Sequence, residues 1–398
     1  MPDIRRLTDA ELPEYVELFR YAFRDFSEKP GDPELQASLQ AQDVLGLFAE
    51  GELVSAVVDF RYQQSVRGRV LGMGGIGGVA SYPEHRGRGY VRTLMRTAFA
   101  EMRERGAALS MLRPFKQSYY RKFGYETAST YIGWDMPSVA MAQWTDSAFA
   151  GEFRYQRGRS LQLKDELLSF WRDLQPGVNG LALMPDMPDG YFRRRYRDFQ
   201  VLLVHGANGV EASALVFKRG AGSEARIAVR GFLWRNLAAR DAVLHWLSRH
   251  ADQVGSMTIA FPFGMPVFHL FGDTVKPVRQ NVLLFPWMVR TVDAVAAVTG
   301  TPGEMDDKLV LDLQDRDCPW NNGRFRLSAA ESVLRLDRES DSGSPDATLP
   351  ISALSGLLYG VGDPEEVLAR SRVVTDARVI DLLRQAFPPL PFQNESDF

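Results

Sequence analysis

The residues best suited to chemistry lie between Gly77 and Arg92, which read Gly-Gly-Val-Ala-Ser-Tyr-Pro-Glu-His-Arg-Gly-Arg-Gly-Tyr-Val-Arg. A strand-like stretch runs into Pro83, then Arg86-Gly87-Arg88-Gly89, then an amphipathic helix from Tyr90. A helix start presents unpaired amides and the positive end of the helix dipole, and together these bind phosphate. Gly87 and Gly89 let the backbone approach a pyrophosphate and adopt positive φ. Arg86, Arg88 and Arg92 add charge for a polyanionic cofactor. The cofactor-contact candidates are Val79, Ala80, Ser81, Arg86, Gly87, Arg88, Gly89, Tyr90, Val91 and Arg92. The competing reading is an ordinary strand-to-helix turn with exposed arginines. Two other phosphate loops are excluded: Arg92 stands where a dinucleotide loop needs its third glycine, and no Gly-x-x-x-x-Gly-Lys-Ser/Thr occurs.

Other reactive side chains are sparse. Tyr119, Tyr120 and Tyr125 cluster around Phe123-Gly124, and each is either a proton donor or packing at a sheet edge. The five histidines, His85, His205, His245, His250 and His269, share no motif and form no paired metal pattern, so no metal is expected. The single cysteine, Cys318, reads as an incidental loop thiol. One cysteine allows no internal disulfide, which fits a reducing cytoplasm.

The elements that position these residues can be read from periodicity. Thr8 and Glu11 form a capping box, and Leu12, Tyr15, Phe19, Ala22 and Phe23 fall on one helical face. Strands over Val44–Ala49 and Leu53–Phe60 flank a hairpin turn at Glu50-Gly51-Glu52. After a turn at Val66–Arg69 comes a long glycine-dotted strand, Val70–Ser81. A helix over Tyr90–Arg105 buries Leu94, Met95, Ala98, Phe99 and Met102, and a short strand follows at Leu109–Leu112. The order predicts a mixed α/β sheet with helices packed on it. The middle of the chain repeats this vocabulary: an Asn208-Gly209 hairpin, a strand at Arg226–Trp234, a helix over Asn236–His250 and a strand at Met257–Phe261. The last part reads as a small α+β domain. Boundaries are expected at 1–145, 146–285 and 286–398.

Composition excludes several function classes. At 398 residues, two or three domains are expected from roughly 100–200 residues per domain. Lys and Arg number 47 against 50 Asp and Glu, so the net charge of -3 gives no footprint for nucleic acid or an anionic membrane. No apolar run is long enough to span a bilayer and no signal peptide is evident, so a cytoplasmic location is expected.

Val79-x-x-x-Pro83-x-x-Arg86-Gly87-Arg88-Gly89 resembles the coenzyme A signature of the GNAT acetyltransferase superfamily, with Val91 where Gly or Ala is frequent. The whole chain is similar to the enhanced-intracellular-survival (Eis) type: tandem GNAT domains, the second diverged, then a sterol-carrier-protein-like domain. The run Trp287–Asp293 is also similar to that family's. The resemblance implies acetyl-CoA as cosubstrate, an N-acetyltransferase acting on primary amines of a cationic acceptor, and a homohexamer. It also implies that Tyr120, in Tyr-x-x-Phe-Gly-Tyr, faces the thioester sulfur as general acid. The terminal carboxylate of Phe398 is implied as base. Asp25, Phe26, Asp293 and Asp397 are candidates for an amine pocket. The alternative reading is a non-catalytic acyl-CoA or lipid-binding protein.

Overall fold

The computed structural model describes residues 2–24, 32–129, 132–262, 265–272, 277–282, 286–340 and 343–395. It divides into two compact units: residues 1–129 with 176–191 and 286–398, and residues 130–175 with 192–285.

In the first unit, β1 (Asp3–Arg6), β2 (Val44–Ala49), β3 (Glu52–Val66) and β4 (Arg69–Ser81) form an antiparallel meander. The hairpin turns place Glu50-Gly51 and Arg67-Gly68 at positive φ, the geometry that matches strand twist. β5 (Ala107–Leu112) pairs parallel to β4, and β6 (Glu126–Ser129) follows. The helices here are α1 (Leu12–Phe23), α2 (Pro33–Ala37), α3 (Tyr90–Glu104) and α4 (Gln117–Tyr120). The Thr8–Glu11 capping box is present, just ahead of α1. α1 buries Leu12, Tyr15, Val16 and Leu18, but Phe23, expected on the buried face, is 49% exposed. α3 buries the face read from its periodicity, Leu94, Met95, Ala98, Phe99 and Met102.

The second unit is built on a seven-stranded sheet. Its strands are β7 (Ile132–Pro137) and β8 (Arg154–Arg159), then β10 (Gln200–Gly206), β11 (Gly209–Arg219), β12 (Arg226–Trp234), β13 (Ser256–Ala260) and β14 (Arg279–Val282), in the order β14-β7-β13-β12-β11-β10-β8. Between β8 and β10 the chain contributes β9 (Ala182–Leu183) to the first sheet, paired with Gln63 and Gln64 of β3. Helices α5 (Lys164–Leu174), α6 (Asp189–Tyr196) and α7 (Leu237–Ser248) belong to this stretch of chain. As in the first unit, an antiparallel meander leads through a helix into a parallel strand.

The sheets do not part at 145/146 and 285/286. β7 already belongs to the second sheet. β15 (Trp287–Thr291), at the expected start of the third domain, inserts between β5 and β6 of the first. Local periodicity carries no trace of this insertion, because the partner strands lie far away in sequence. Beyond it come α8 (Ala294–Val298) and a four-stranded sheet of β16 (Leu309–Gln314), β17 (Gly323–Ala330), β18 (Val333–Arg338) and β19 (Ala347–Pro350), then α9 (Ile351–Tyr359), α10 (Pro364–Arg370) and α11 (Ala377–Ala386). α9 is almost wholly buried and packs on β15 and β6. Arg67, in the β3–β4 turn, donates to the carbonyls of Leu357, Leu358 and Pro388, while burial lowers its pKa to about 10.

Candidate active site

β4 and β5 pair only from Gly72–Ala107 to Ile76–Leu112. Beyond that point β5 has ended and β4 runs on alone to Ser81, bulged along its other edge. There the register against β3 slips, so Gly78 and Val79 face Val57 alone. Such a bulge bends and twists a strand. Gly78 takes φ +54°, and Tyr15 donates its hydroxyl to the Gly78 carbonyl at 3.2 Å. A Cβ on Gly78 would stand 1.9 Å from that hydroxyl, so this bend requires glycine.

The splayed end of β4 forms one wall of a cleft of about 700 Å³. Val79, Ala80, Ser81, Arg86, Gly87, Gly89, Tyr90, Val91 and Arg92 all line it, whereas Arg88 does not. Gly87 and Gly89 sit at φ +77° and +81° with open space where a Cβ would be. The loop therefore needs its glycines for backbone conformation, and it leaves room above the backbone for a ligand. Gly89 is the N-cap of α3 and offers no side-chain cap, so the first amides of the helix keep their capacity for an external acceptor. His85 also lines the cleft, and its buried Nδ1 has no hydrogen-bond partner among the described residues. An uncapped helix start, an orphaned imidazole nitrogen and empty space beside both glycines fit the pyrophosphate of coenzyme A.

The cations are arranged differently from the sequence expectation. Arg86 donates its Nε to the Ser81 carbonyl. Arg92 is held by Asp317, both of whose oxygens lie within 2.8 Å of its Nη1, and its guanidinium sits 4.8 Å above the Phe123 ring. Lys122 lines the cleft opposite, a residue the loop motif could not reveal. Phe23 and Phe115 form an exposed aromatic rim, which periodicity had assigned to the core in the case of Phe23.

The three tyrosines separate. Tyr125 is fully buried and hydrogen-bonds Ser110 at 2.7 Å, and Ser110 in turn donates to the Gly74 carbonyl. Its proton is therefore committed. Tyr119 is half-buried and lines the cleft; burial raises its pKa while Arg92 opposes the rise. Tyr120 lies behind it, edge-on at 5.2 Å and 4% exposed, and no hydrogen bond to its hydroxyl is present among the described residues. Burial, then the neighbouring Tyr119, raise it well above a phenol's ordinary value.

The candidate amine pocket is not assembled among the described residues. Asp293 caps α8 through the Ala296 amide and pairs with Arg103 at 2.9 Å, and it does not line the cleft. Asp25, Phe26, Asp397 and Phe398 lie outside the described residues. Cys318 is buried, and burial pushes its thiol up to about 12, so it is no nucleophile.

Comparison with known proteins agrees with this geometry. Residues 3–128 match the acetyltransferase (GNAT) domain family, and residues 291–391 match the sterol carrier protein domain family. An uncharacterized N-acetyltransferase of Streptomyces coelicolor is 24% identical over 299 residues, 69% of this chain and 68% of its own length. Another from Streptomyces avermitilis is 23% identical over 392 residues, 90% of each chain. In fold, the chain is similar over its whole length to a GCN5-related N-acetyltransferase from Anabaena variabilis (TM-score 0.86, 16% identity, 100% of each chain). It is likewise similar to Eis1 from Mycobacterium abscessus (TM-score 0.77, 20% identity, 100% of each chain). With a GNAT acetyltransferase domain over residues 3–128 and a sterol carrier protein domain over residues 291–391, the chain is an acetyl-CoA-dependent N-acetyltransferase that shares its fold with Eis1.

Proposed function

We propose that the acceptor is a primary amine on a cationic molecule, of aminoglycoside, polyamine or lysine type, and that Tyr120 is the general acid. The observation that carries this reading is a partnerless, protonated phenol directly behind the wall of a cleft whose other end is shaped for pyrophosphate. Acetyl-CoA supplies the acyl carbon and the thiolate leaving group. The α3 start and Arg92 hold the phosphates, and the splayed edge of β4 offers its backbone to the pantetheine arm. As the C–S bond breaks and the N–C bond forms, Tyr120 gives its proton to the departing sulfur. A phenol already holds its proton at neutral pH at its ordinary value, and burial shifts Tyr120 further in that direction.

The attacking amine must shed a proton. The carboxylate of Phe398 is the base in this proposal, as the family resemblance implies. Supporting it, the chain that leads there is built into the first unit: Phe392, Asn394 and Glu395 are buried, and Asn394 accepts the Ala182 amide at 3.1 Å. Assembly as a homohexamer is part of the same proposal and is read from the native mass in solution.

Thiol release from acetyl-CoA in the presence of a panel of amines tests the reaction. Turnover that falls on Tyr120→Phe but not on Tyr119→Phe supports the assignment, and the reverse pattern moves the acid to Tyr119. Coenzyme A binding without turnover on any amine would make the chain a non-catalytic acyl-CoA binder. Activity that survives removal of Phe398, with coenzyme A binding intact, would remove the carboxylate from the mechanism.

A further inference from the structure

We propose that Asp317, from the sterol-carrier-like region, is a positioning residue for the cofactor: it fixes the guanidinium of Arg92 against the phosphate end of the cleft. This rests on reading the cleft as the coenzyme A site.

The loop after β16 is anchored in two tiers. Asp315 is buried and takes bidentate contacts from Arg290 of β15 near 3 Å, and it accepts the amides of Asp317 and Cys318 and the Asn321 side chain. Arg290 is itself fully buried, 4.2 Å over Phe99 of α3. The loop is thus fixed to the sheet and helix that build the cleft. Its next carboxylate, Asp317, has a side chain only 1% exposed and grips two arginines one turn apart on α3. Arg92 donates through Nη1 alone, and Arg96 donates through Nε while its Nη2 reaches the Arg316 carbonyl. Arg92 lines the cleft and makes no other hydrogen bond among the described residues, so its Nε and Nη2 remain for an anionic ligand.

Charge and orientation pull in opposite directions here. Removing the Asp317 charge leaves the α3 start more positive, which by Coulomb's law alone would tighten binding of a polyanion. It also frees a long side chain whose rotamers must then be ordered by the ligand. The buried, doubly anchored loop makes orientation the larger effect, because a guanidinium already held by one carboxylate gives its remaining donors to phosphate at little entropic cost.

The test is calorimetric titration of the full-length protein with coenzyme A, alongside steady-state kinetics. Asp317→Asn is expected to weaken coenzyme A about tenfold, the loss of one well-oriented charged hydrogen bond. The KM for acetyl-CoA should rise while kcat holds. In an Arg92→Ala background the same change should have no further effect, and Arg96→Gln alone should leave affinity near that of the parent. Transfer from S-acetylpantetheine, which lacks the pyrophosphate, should be untouched. Unchanged or tighter binding in Asp317→Asn overturns the proposal. So does a loss that persists without Arg92, since that reports general loosening of the loop. If Asp317→Asn does not fold, Asp317→Glu with the Arg92 cycle answers the same question. A parent protein that fails to bind coenzyme A refutes the cleft reading itself, whereas binding without amine acetylation refutes only the proposed reaction.

Discussion

Two crossovers in this chain share one blueprint. In the first unit β4 leads through residues 82–89 into α3 and back to β5; in the second, β12 leads through Arg235-Asn236 into α7 and back to β13. Both first strands carry a positive-φ glycine at a register slip, Gly78 at +54° and Gly231 at +57°. In both, the first strand runs on past its last parallel partner, β4 beyond Ile76–Leu112 and β12 beyond Val229–Ile259. The difference lies in what fills the opening. At α3 there is a glycine N-cap and a cleft. At α7 the Asn236 side chain accepts the Ala239 amide, and Phe232 and Phe261 meet at 5.8 Å within the core. The bulge and splay are thus properties of the sheet, whereas a ligand site further requires that the helix start be left uncapped and the wedge unfilled.

The comparison can be broken by exchanging these features. Phe232→Ala should destabilise the protein by about 3–5 kcal/mol through the cavity it leaves, without creating a second coenzyme A site. Denaturant unfolding with coenzyme A titration reads both, and a binding stoichiometry of two would mean the second wedge retains its recognition groups. Tyr120→Phe should lower kcat roughly 100-fold or more, as loss of a general acid does, with little change in coenzyme A affinity. Gly89→Ala forces an alanine into left-handed backbone at about 1–2 kcal/mol, so affinity for coenzyme A should fall roughly tenfold. Its counterpart Asn236→Ala should cost about 1 kcal/mol of stability and leave the KM for acetyl-CoA alone.

The smallest effect concerns pH. Burial raises Tyr120, Tyr125 and Tyr359 above the ordinary phenol value. The folded state then keeps protons that the unfolded chain releases. Their contribution to stability is complete below pH ~10 and is lost as pH rises through the folded values. The denaturant midpoint of the protein should therefore fall as pH rises above ~10.

The loop was the legible part of the site, because phosphate binding at a helix start is written in consecutive residues. Nine of its ten candidates line the cleft, and Arg88 does not. The α3 face was equally readable from its period. What stayed hidden depends on distant partners. Nothing near Arg92 announces Asp317, and nothing in Trp287–Thr291 says that it completes a sheet begun by residue 3. Phe23 satisfies helical periodicity as well as a core residue does, yet the last turn of α1 lies over the cleft, where periodicity has no say.

The insertion of β15 between β5 and β6 also sets an order of events during synthesis. When the first 129 residues have left the ribosome, β5 has one bare edge and β6 has no neighbour. The gap closes only after the entire second unit has been made and residues 287–291 arrive. The middle unit can fold as the chain emerges, while the acetyltransferase sheet waits for a strand encoded far downstream. The nascent protein therefore completes this sheet, and with it gains the Arg290 that anchors the Asp317 loop, only after the whole second unit has been made.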